Sequence, residues 1–268
     1  MPELQELYRC GGLELAYIGA GEGDAFPKHT HGEYVISAML SGHEQVWLDG
    51  RRFTVTAGDF TVYNPEAVQA SEFDPSTGGA EFVSLYLEPE RLLRFAEENG
   101  WAGGHAAPEI GLPLIDDPAL FGTLCAMGTA ARHGDEEEIA SLSQELMGRL
   151  LSCYSVGPVP GRSGPSCPFE ALTDFMRAHV DRTLTLDELS QVGGISKYHL
   201  VRAFRERFGL SPIKYHMQLR LQEARRLLRL GQPAQDVAFA LGFYDQSHFI
   251  NAFRKVVGGT PLQYTLRS

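Results

Sequence analysis

The sequence predicts an α+β protein of two domains, an N-terminal β-barrel with flanking helices and a C-terminal all-α domain made of two similar units. Three observations carry that reading. Short β-rich runs divided by turn residues fill the first third of the chain, a Gly, Pro and Ser stretch interrupts it near residue 160, and one pattern in the last hundred residues occurs twice. At 268 residues the chain exceeds one average domain, since domains typically run to about 100 to 150 residues.

The β-rich runs are Leu13 to Ile18, Tyr34 to Leu40, Gln45 to Leu48, Arg52 to Thr56, Phe60 to Tyr63 and Phe82 to Leu87. Gly42, Asp49-Gly50, Gly58-Asp59 and Gly78-Gly79 punctuate them, and Asp-Gly between alternating runs signals a tight hairpin. Many short strands at regular spacing suggest a barrel or jelly roll. From Pro89 to Tyr154 the pattern turns helical. Ile139, Leu142, Leu146, Leu150 and Tyr154 recur near helical spacing behind the acidic start Asp135 to Glu138, where a helix dipole favours negative charge. This apolar stripe either covers the barrel or pairs with a second copy of the chain, which makes Leu142, Leu146 and Leu150 the candidate dimerisation residues.

The stretch from Val156 to Pro168 is dense in Gly, Pro and Ser, a composition that favours neither helix nor strand. It is read as a linker over 156–168, between domains spanning 1–155 and 169–268.

Composition narrows the function. A hydrophobic share of 43% with 21% charged residues is ordinary for a globular chain, and no window approaches the roughly 18 apolar residues of a membrane span. The start, Met1 to Glu6, has neither the basic residues nor the apolar run of a signal peptide, so a cytoplasmic location and no membrane partner are expected. The cysteines Cys10, Cys125, Cys153 and Cys167 form no CxxC pair, which argues against a zinc finger or a redox motif. The net charge of -11 is divided unevenly: residues 169–268 hold 14 Lys and Arg against 9 Asp and Glu, a balance of +5, leaving -16 to the remainder. A basic C-terminal module beside an acidic domain is compatible with nucleic-acid binding.

The repeat is the strongest signal. His199-Leu200-x3-Phe204-Arg205-x3-Gly209-x-Ser211-Pro212-x2-Tyr215 recurs 49 residues later as His248-Phe249-x3-Phe253-Arg254-x3-Gly258-x-Thr260-Pro261-x2-Tyr264. Upstream, Glu188-Leu189-Ser190 to Gly194 matches Asp236-Val237-Ala238 to Gly242. Each copy is thus a short helix, a glycine turn and a second helix, the helix-turn-helix plan of DNA-binding proteins. Thr185-x2-Glu188 reads as a capping box, while Ser211-Pro212 and Thr260-Pro261 place an N-cap before a proline at the first helical position. Ile213 to Leu230 reads as one connecting helix of roughly 27 Å, able to set two recognition helices in successive major-groove segments about 34 Å apart.

Leu200, Phe204 and Phe208 would face the core of the first unit, and Phe249, Phe253 and Val256 that of the second. A recognition helix reads base edges from its N-terminal half, which assigns Tyr198, Val201 and Arg202 in the first unit to double-stranded DNA. Gln246, Ser247, Ile250 and Asn251 take that role in the second. Lys197, Arg205, Arg254 and Lys255 are placed for phosphates. The first unit, richer in arginine on this face, is expected to give the stronger base contact.

Arg220-Leu221-x2-Ala224-x2-Leu227-Leu228, Gly242-Phe243-x-Asp245-x-Ser247-x-Phe249 and Phe253-Arg254-Lys255-x2-Gly258-x-Thr260-Pro261-x2-Tyr264 resemble the signature of the AraC family of bacterial transcriptional regulators, over about residues 169–266. In the N-terminal domain Gly23-x5-His29-x-His31 with Gly42 resembles the first cupin motif, and Gly58-Asp59 begins something like the second, so the barrel is expected to be cupin-like. Where metal-binding cupins place a Glu and a further His, this chain has Val35 and Gln69. Two of four ligands are therefore missing, and neither a bound metal nor another cofactor is expected.

The resemblance implies a sensor domain that binds a small effector inside the barrel. Alternation places His29, His31 and Glu33 on one strand face, the expected pocket face, with Trp47 as an apolar wall and Tyr34, Gln69 and Tyr86 as polar contacts. An effector-responsive homodimer is the leading function, with RNA polymerase as a further candidate partner. A barrel serving only dimerisation and a metal cupin enzyme fused to a DNA-binding domain are the alternatives, and the missing ligands speak against enzymatic activity.

Overall fold

A computed structural model describes residues 2–73, 79–101, 107–156 and 168–266. All of the expected linker except Val156 and Pro168 lies outside the described residues, as do Gly78 and Cys167.

The strands are β1 (Glu3–Cys10), β2 (Leu13–Ala20), β3 (Ala25–His29), β4 (Tyr34–Ser41), β5 (His43–Leu48), β6 (Arg51–Thr56), β7 (Phe60–Tyr63), β8 (Gln69–Phe73), β9 (Ala80–Leu87), β10 (Glu109–Ile110), β11 (Leu114–Ile115) and β12 (Ser155–Val156). They form a six-stranded sheet in the order β1-β2-β9-β4-β7-β11 and a four-stranded sheet in the order β3-β8-β5-β6, with β10 and β12 paired separately. Every pairing is antiparallel. Among the described residues no ladder joins the two larger sheets, so the expected barrel is an open sandwich.

The larger sheet is buried on both faces. Leu13, Leu15, Tyr17, Tyr34, Ile36, Ala38, Val83 and Leu85 point to the helices, while Ala16, Ile18, Val35, Met39 and Phe82 point to the smaller sheet. Strands covered on both sides have no polar phase, which is why β2 and β4 read as continuous apolar runs.

Helices α1 (Pro89–Glu98), α2 (Pro118–His133) and α3 (Glu136–Tyr154) cover the outer face. Asp135 caps α3, accepting from the Glu138 amide at 3.0 Å. The apolar stripe of α3 is spent on this core: Leu146 and Leu150 are fully buried and Leu142 packs beside them. That corrects the assignment of Leu146 and Leu150 to dimerisation, since a side chain with no exposed area has no surface to offer a second copy, while Leu142 is half-buried.

The C-terminal region is helical throughout, with α4 (Pro168–Ala178), α5 (Leu186–Gly193), α6 (Lys197–Phe208), α7 (Pro212–Arg229), α8 (Ala234–Ala240), α9 (Gln246–Val257) and α10 (Pro261–Leu266). The capping box at Thr185 and Glu188 is formed. Ser196 and Asp245 cap the two recognition helices α6 and α9 at equivalent positions. Between α8 and α9, Gly242 turns at φ 65°, and a Cβ there would stand 2.6 Å from the Asp181 carbonyl oxygen, so the turn needs glycine both for its dihedral and for the close approach.

The packed cores do not follow the boundary read from the sequence. Leu221, Ala224, Leu227, Leu228, Phe249 and Phe253 of the second unit share one core with the inner faces of both sheets. The first unit packs around Leu200, Phe204 and Tyr215, and Val68 from the β-domain is fully enclosed among them.

Candidate functional site

The caps and glycine turns just described leave one face of each recognition helix in solvent. On α6, Tyr198 is 71% exposed and Lys197, Arg202 and Arg205 are exposed beside it, with Val201 half-buried. On α9, Gln246, Ser247, Asn251, Arg254 and Lys255 are exposed and Ile250 is half-buried. The phases therefore match a core face and a free face in both units. Two of the basic groups have partners on the protein: Arg202 Nε meets Glu206 at 2.8 Å, one turn along, and Lys197 Nζ meets Asp187 at 2.8 Å. Exposed pairs of this kind are weak because water screens them, so they yield readily to a phosphate or a base. Arg254 shares a groove with Pro2, Glu3 and Leu4 at the start of the β-domain.

Between the two sheets lies a cavity of about 50 Å³. Of the expected pocket residues, His29, His31, Gln69 and Tyr86 line it. Glu33, Tyr34 and Trp47 lie elsewhere. β3 ends at His29 and β4 begins at Tyr34, so the continuous strand expected through Glu33 is broken over Thr30 to Glu33. Tyr34, out of phase with the cavity-lining His29, His31 and Val35, faces the outer core, where its hydroxyl donates to the Pro108 carbonyl. Glu33 turns instead toward arginines of α7, and Trp47 lies against the first helix-turn-helix unit.

His29 Nδ1 donates to the Pro27 carbonyl at 2.7 Å and its Nε2 accepts from Gln69 Nε2 at 3.1 Å, an arrangement that needs the neutral ring. Burial pushes His29 down to about 4 and, with the neighbouring His29 and Arg225, holds His31 well below the usual imidazole range. Gln69 Oε1 has no hydrogen-bond partner among the described residues. The sequence reading missed Glu44, buried on the cavity wall, where Ser71 Oγ donates to it at 2.5 Å and desolvation pushes its carboxyl up to about 7. Its signal was present: Glu44 shares the inward phase of β5 with Val46 and Leu48, a position where a carboxylate is unusual. Also missed were Val256 and Val257, which bring the end of α9 into the cavity wall. Among the described residues no three His, Cys, Asp or Glu side chains are grouped to hold a metal.

A buried ionic seam joins the cavity's rim to α7. Arg225, with its side chain 4% exposed, reaches Glu14 Oε1 at 2.8 Å and Glu33 Oε2 at 3.2 Å, and Arg229 reaches Glu33 Oε1 at 2.9 Å. Arg225 Nη1 also donates to His31 Nδ1 at 3.1 Å, and the guanidinium lies 4.5 Å from the centre of the Tyr86 ring. The Tyr264 hydroxyl donates to Glu14 Oε2 at 2.6 Å. Burial opposes the charge on Glu14, but Arg225, Tyr264 and Arg229 outweigh it and hold the carboxyl below its usual range. The first unit has its own contacts: Lys28 Nζ sits 3.3 Å from the centre of a Trp47 ring, and Arg177 Nε donates to Glu66 at 2.9 Å.

Comparison with known proteins agrees with both halves of this geometry. Residues 12–153 match the model of the AraC-like ligand binding domain, and residues 189–267 match a helix-turn-helix domain. The chain is 30% identical to the transcriptional regulator YbfI of Bacillus subtilis over 87% of this chain and 84% of that one. It is 22% identical to the arabinose operon regulatory protein of Escherichia coli, over 86% and 80%. Among solved structures it is similar to ToxT of Vibrio cholerae, at 12% identity with a TM-score of 0.59 over 95% of this chain and 97% of that one. A ToxT structure with bound unsaturated fatty acid gives a TM-score of 0.57 at 12% identity, over 100% and 98%.

Proposed function

The chain belongs to the AraC family of transcriptional regulators, with an N-terminal ligand-binding domain and a C-terminal DNA-binding helix-turn-helix domain, and from that premise we propose how the two are coupled. The effector binds in the cavity between the sheets and alters DNA reading by moving the second recognition helix. One observation carries this: Val256 and Val257, at the end of α9, are part of the cavity wall. A ligand shifts an equilibrium only by binding one arrangement more tightly than another. A ligand that fits behind α9 favours the closed arrangement, and one that overfills the cavity expels the helix and loosens the seam at Arg225.

The DNA contacts are those expected of the exposed faces, with Tyr198, Val201 and Arg202, then Gln246, Ser247, Ile250 and Asn251, on base edges, and Lys197, Arg205, Arg254 and Lys255 on phosphates. The working unit is a cytoplasmic homodimer on double-stranded DNA, gaining avidity from its paired units, with RNA polymerase as a further partner and no catalytic step. A long aliphatic acid such as the fatty acid in the ToxT structure suits this cavity poorly, because about 50 Å³ holds only a few non-hydrogen atoms and no Lys or Arg lines it among the described residues.

The test is genome-wide mapping of bound sites, followed by operator affinity with and without the metabolites handled by the neighbouring genes. Ser84→Leu, which fills the cavity, should abolish the metabolite's effect on DNA affinity. A response like that of the unsubstituted protein would place the effector elsewhere.

A further inference from the structure

Three carboxylates are buried in or beside the interior of the β-domain, and they are not treated alike. Glu14 and Glu33 each have arginine partners in the seam. Glu44 is as buried, at 8% exposed, yet among the described residues no cationic side chain pairs with it, and its hydrogen bond comes from the Ser71 hydroxyl. A carboxylate removed from water without a counter-charge is costly, and a protein that keeps one on a cavity wall leaves the counter-charge to be supplied.

A second orphan lies on the same wall. In the pairing of β5 with β8, Ser71 stands opposite Val46 and Gln69 opposite Leu48, so Glu44, Ser71 and Gln69 share one face of the sheet. Gln69 uses its amide nitrogen on His29, which leaves Oε1 buried, 6% exposed as a residue, and without a donor among the described residues. The wall thus presents acceptors, while Ile18, Phe26, Val55 and Val257 supply apolar surface to the same cavity. Among the described residues no lysine or arginine lines it, and Arg225, behind His31 and Tyr86, is already paired with Glu14 and Glu33.

We infer that the effector is a small organic ammonium ion, its N–H donors directed at Glu44 and a second donor on the same molecule directed at Gln69 Oε1, with its carbon atoms against the apolar wall. An ammonium carries three donors and no acceptor, the complement of this surface. The assignment rests on the cavity being the effector site, as proposed above, and adds the chemical class of its occupant.

Binding of a cation to ionised Glu44 has a pH signature that other cavity groups do not obscure. His29 stays neutral above about 4 and His31 is held well below its ordinary range, while burial raises Tyr63 and Tyr86 out of the neutral region. From α9 only Val256 and Val257 face the cavity. Glu44, raised to about 7 by desolvation, is therefore the group that titrates between pH 5.5 and 8.

The experiment is calorimetric titration of the full chain with ethanolamine, ethylammonium, ethylene glycol and propionate. Saturable binding is expected for the two ammonium ions, tightest for ethanolamine and at least tenfold weaker for ethylene glycol. Affinity for ethanolamine should be about thirtyfold lower at pH 5.5 than at pH 8, and lost in Glu44→Gln. The pH series on the unsubstituted protein keeps the test decisive if that variant folds poorly. Equal or tighter binding of propionate or ethylene glycol, an affinity independent of pH, or no saturable binding by any probe overturns the ammonium assignment. Where the neutral or anionic probe binds and Ser84→Leu removes that binding, the ammonium class fails and the cavity reading survives.

Discussion

Arg225 Nη2 and Glu14 Oε1 are 2.8 Å apart and almost wholly enclosed, although 211 residues separate them in the chain. One belongs to the helix that links the two DNA-reading units and the other to a strand of the ligand-binding domain. Removing one partner of such a pair leaves the other charge buried, so Arg225→Met should destabilise the protein by about 3 to 5 kcal/mol. The combination with Glu14→Gln and Glu33→Gln should recover most of that loss. Urea unfolding followed by circular dichroism checks both, and three additive losses would show that the seam is not one unit.

The same seam gives an acid limit. Glu14 has a folded pKa below its unfolded one, so its stabilisation is present above about pH 4.3 and disappears as pH falls through the lower folded value. Contacts between α7 and the β-domain should loosen in that window, seen as faster amide exchange in α7. Exchange in α7 that is unchanged to pH 3 would contradict the pairing.

Glu44 works in the opposite sense. Its folded pKa of about 7 exceeds the unfolded value, so the folded state takes up the proton and stability falls as pH rises from about 4.5 to 7. Glu44→Gln should therefore match the unsubstituted protein near pH 4.5 and exceed it by roughly 3 kcal/mol at pH 8. Comparing the two at each pH cancels the opposing histidines. A variant that is less stable at both ends would mean that the carboxylate is not strained.

Gly209 turns at φ 66° at the end of α6, and a Cβ there would lie 2.5 Å from Trp47 Cη2. Gly209→Ala should push the indole outward and weaken the contact between the first unit and the β-domain, at about 1 to 3 kcal/mol. With Trp101→Phe leaving Trp47 as the reporter, its fluorescence should shift to the red; an unmoved spectrum would contradict the contact.

On DNA, Arg202→Ala should cost about 1 to 3 kcal/mol at one base position, and Arg254→Ala should flatten the salt dependence by about one unit of slope. Operator substitutions in the segment read by α6 should cost more than those in the segment read by α9. Equal tolerance in the two segments, or an Arg202 loss that is the same on every sequence, would contradict these roles.

The recognition helices were legible because the sequence repeats its caps, its glycines and its aromatic core, each with a local physical cause. Strands β1, β3 and β8 were not. In β1 a bulge between Leu4 and Glu6 breaks the alternation, and edge strand β3 holds Pro27 and an irregularity between Phe26 and His29. β8, with Gln69, Ser71 and Glu72 among its five residues, is too polar to read as a buried strand. Four of the seven expected pocket residues, His29, His31, Gln69 and Tyr86, line the cavity. Glu33 was misplaced by extending one strand's phase across a break, and Tyr34, out of phase with His29, His31 and Val35, lies on the opposite face of the sheet. The seam was invisible because Arg225, among neighbours such as Arg226 and Arg229, has the sequence of an ordinary solvated helix face, and only tertiary packing decides which arginine is enclosed.

Coupling between cavity and DNA is reciprocal by thermodynamic necessity, and that gives the most direct test. The measurement is the calorimetric affinity of the effector for the free protein and for the protein saturated with operator DNA. DNA should change effector affinity by the same factor as effector changes DNA affinity, about fivefold or more. Identical effector affinity with and without DNA would show that occupancy of the cavity is not transmitted through α9 and would contradict the proposed coupling.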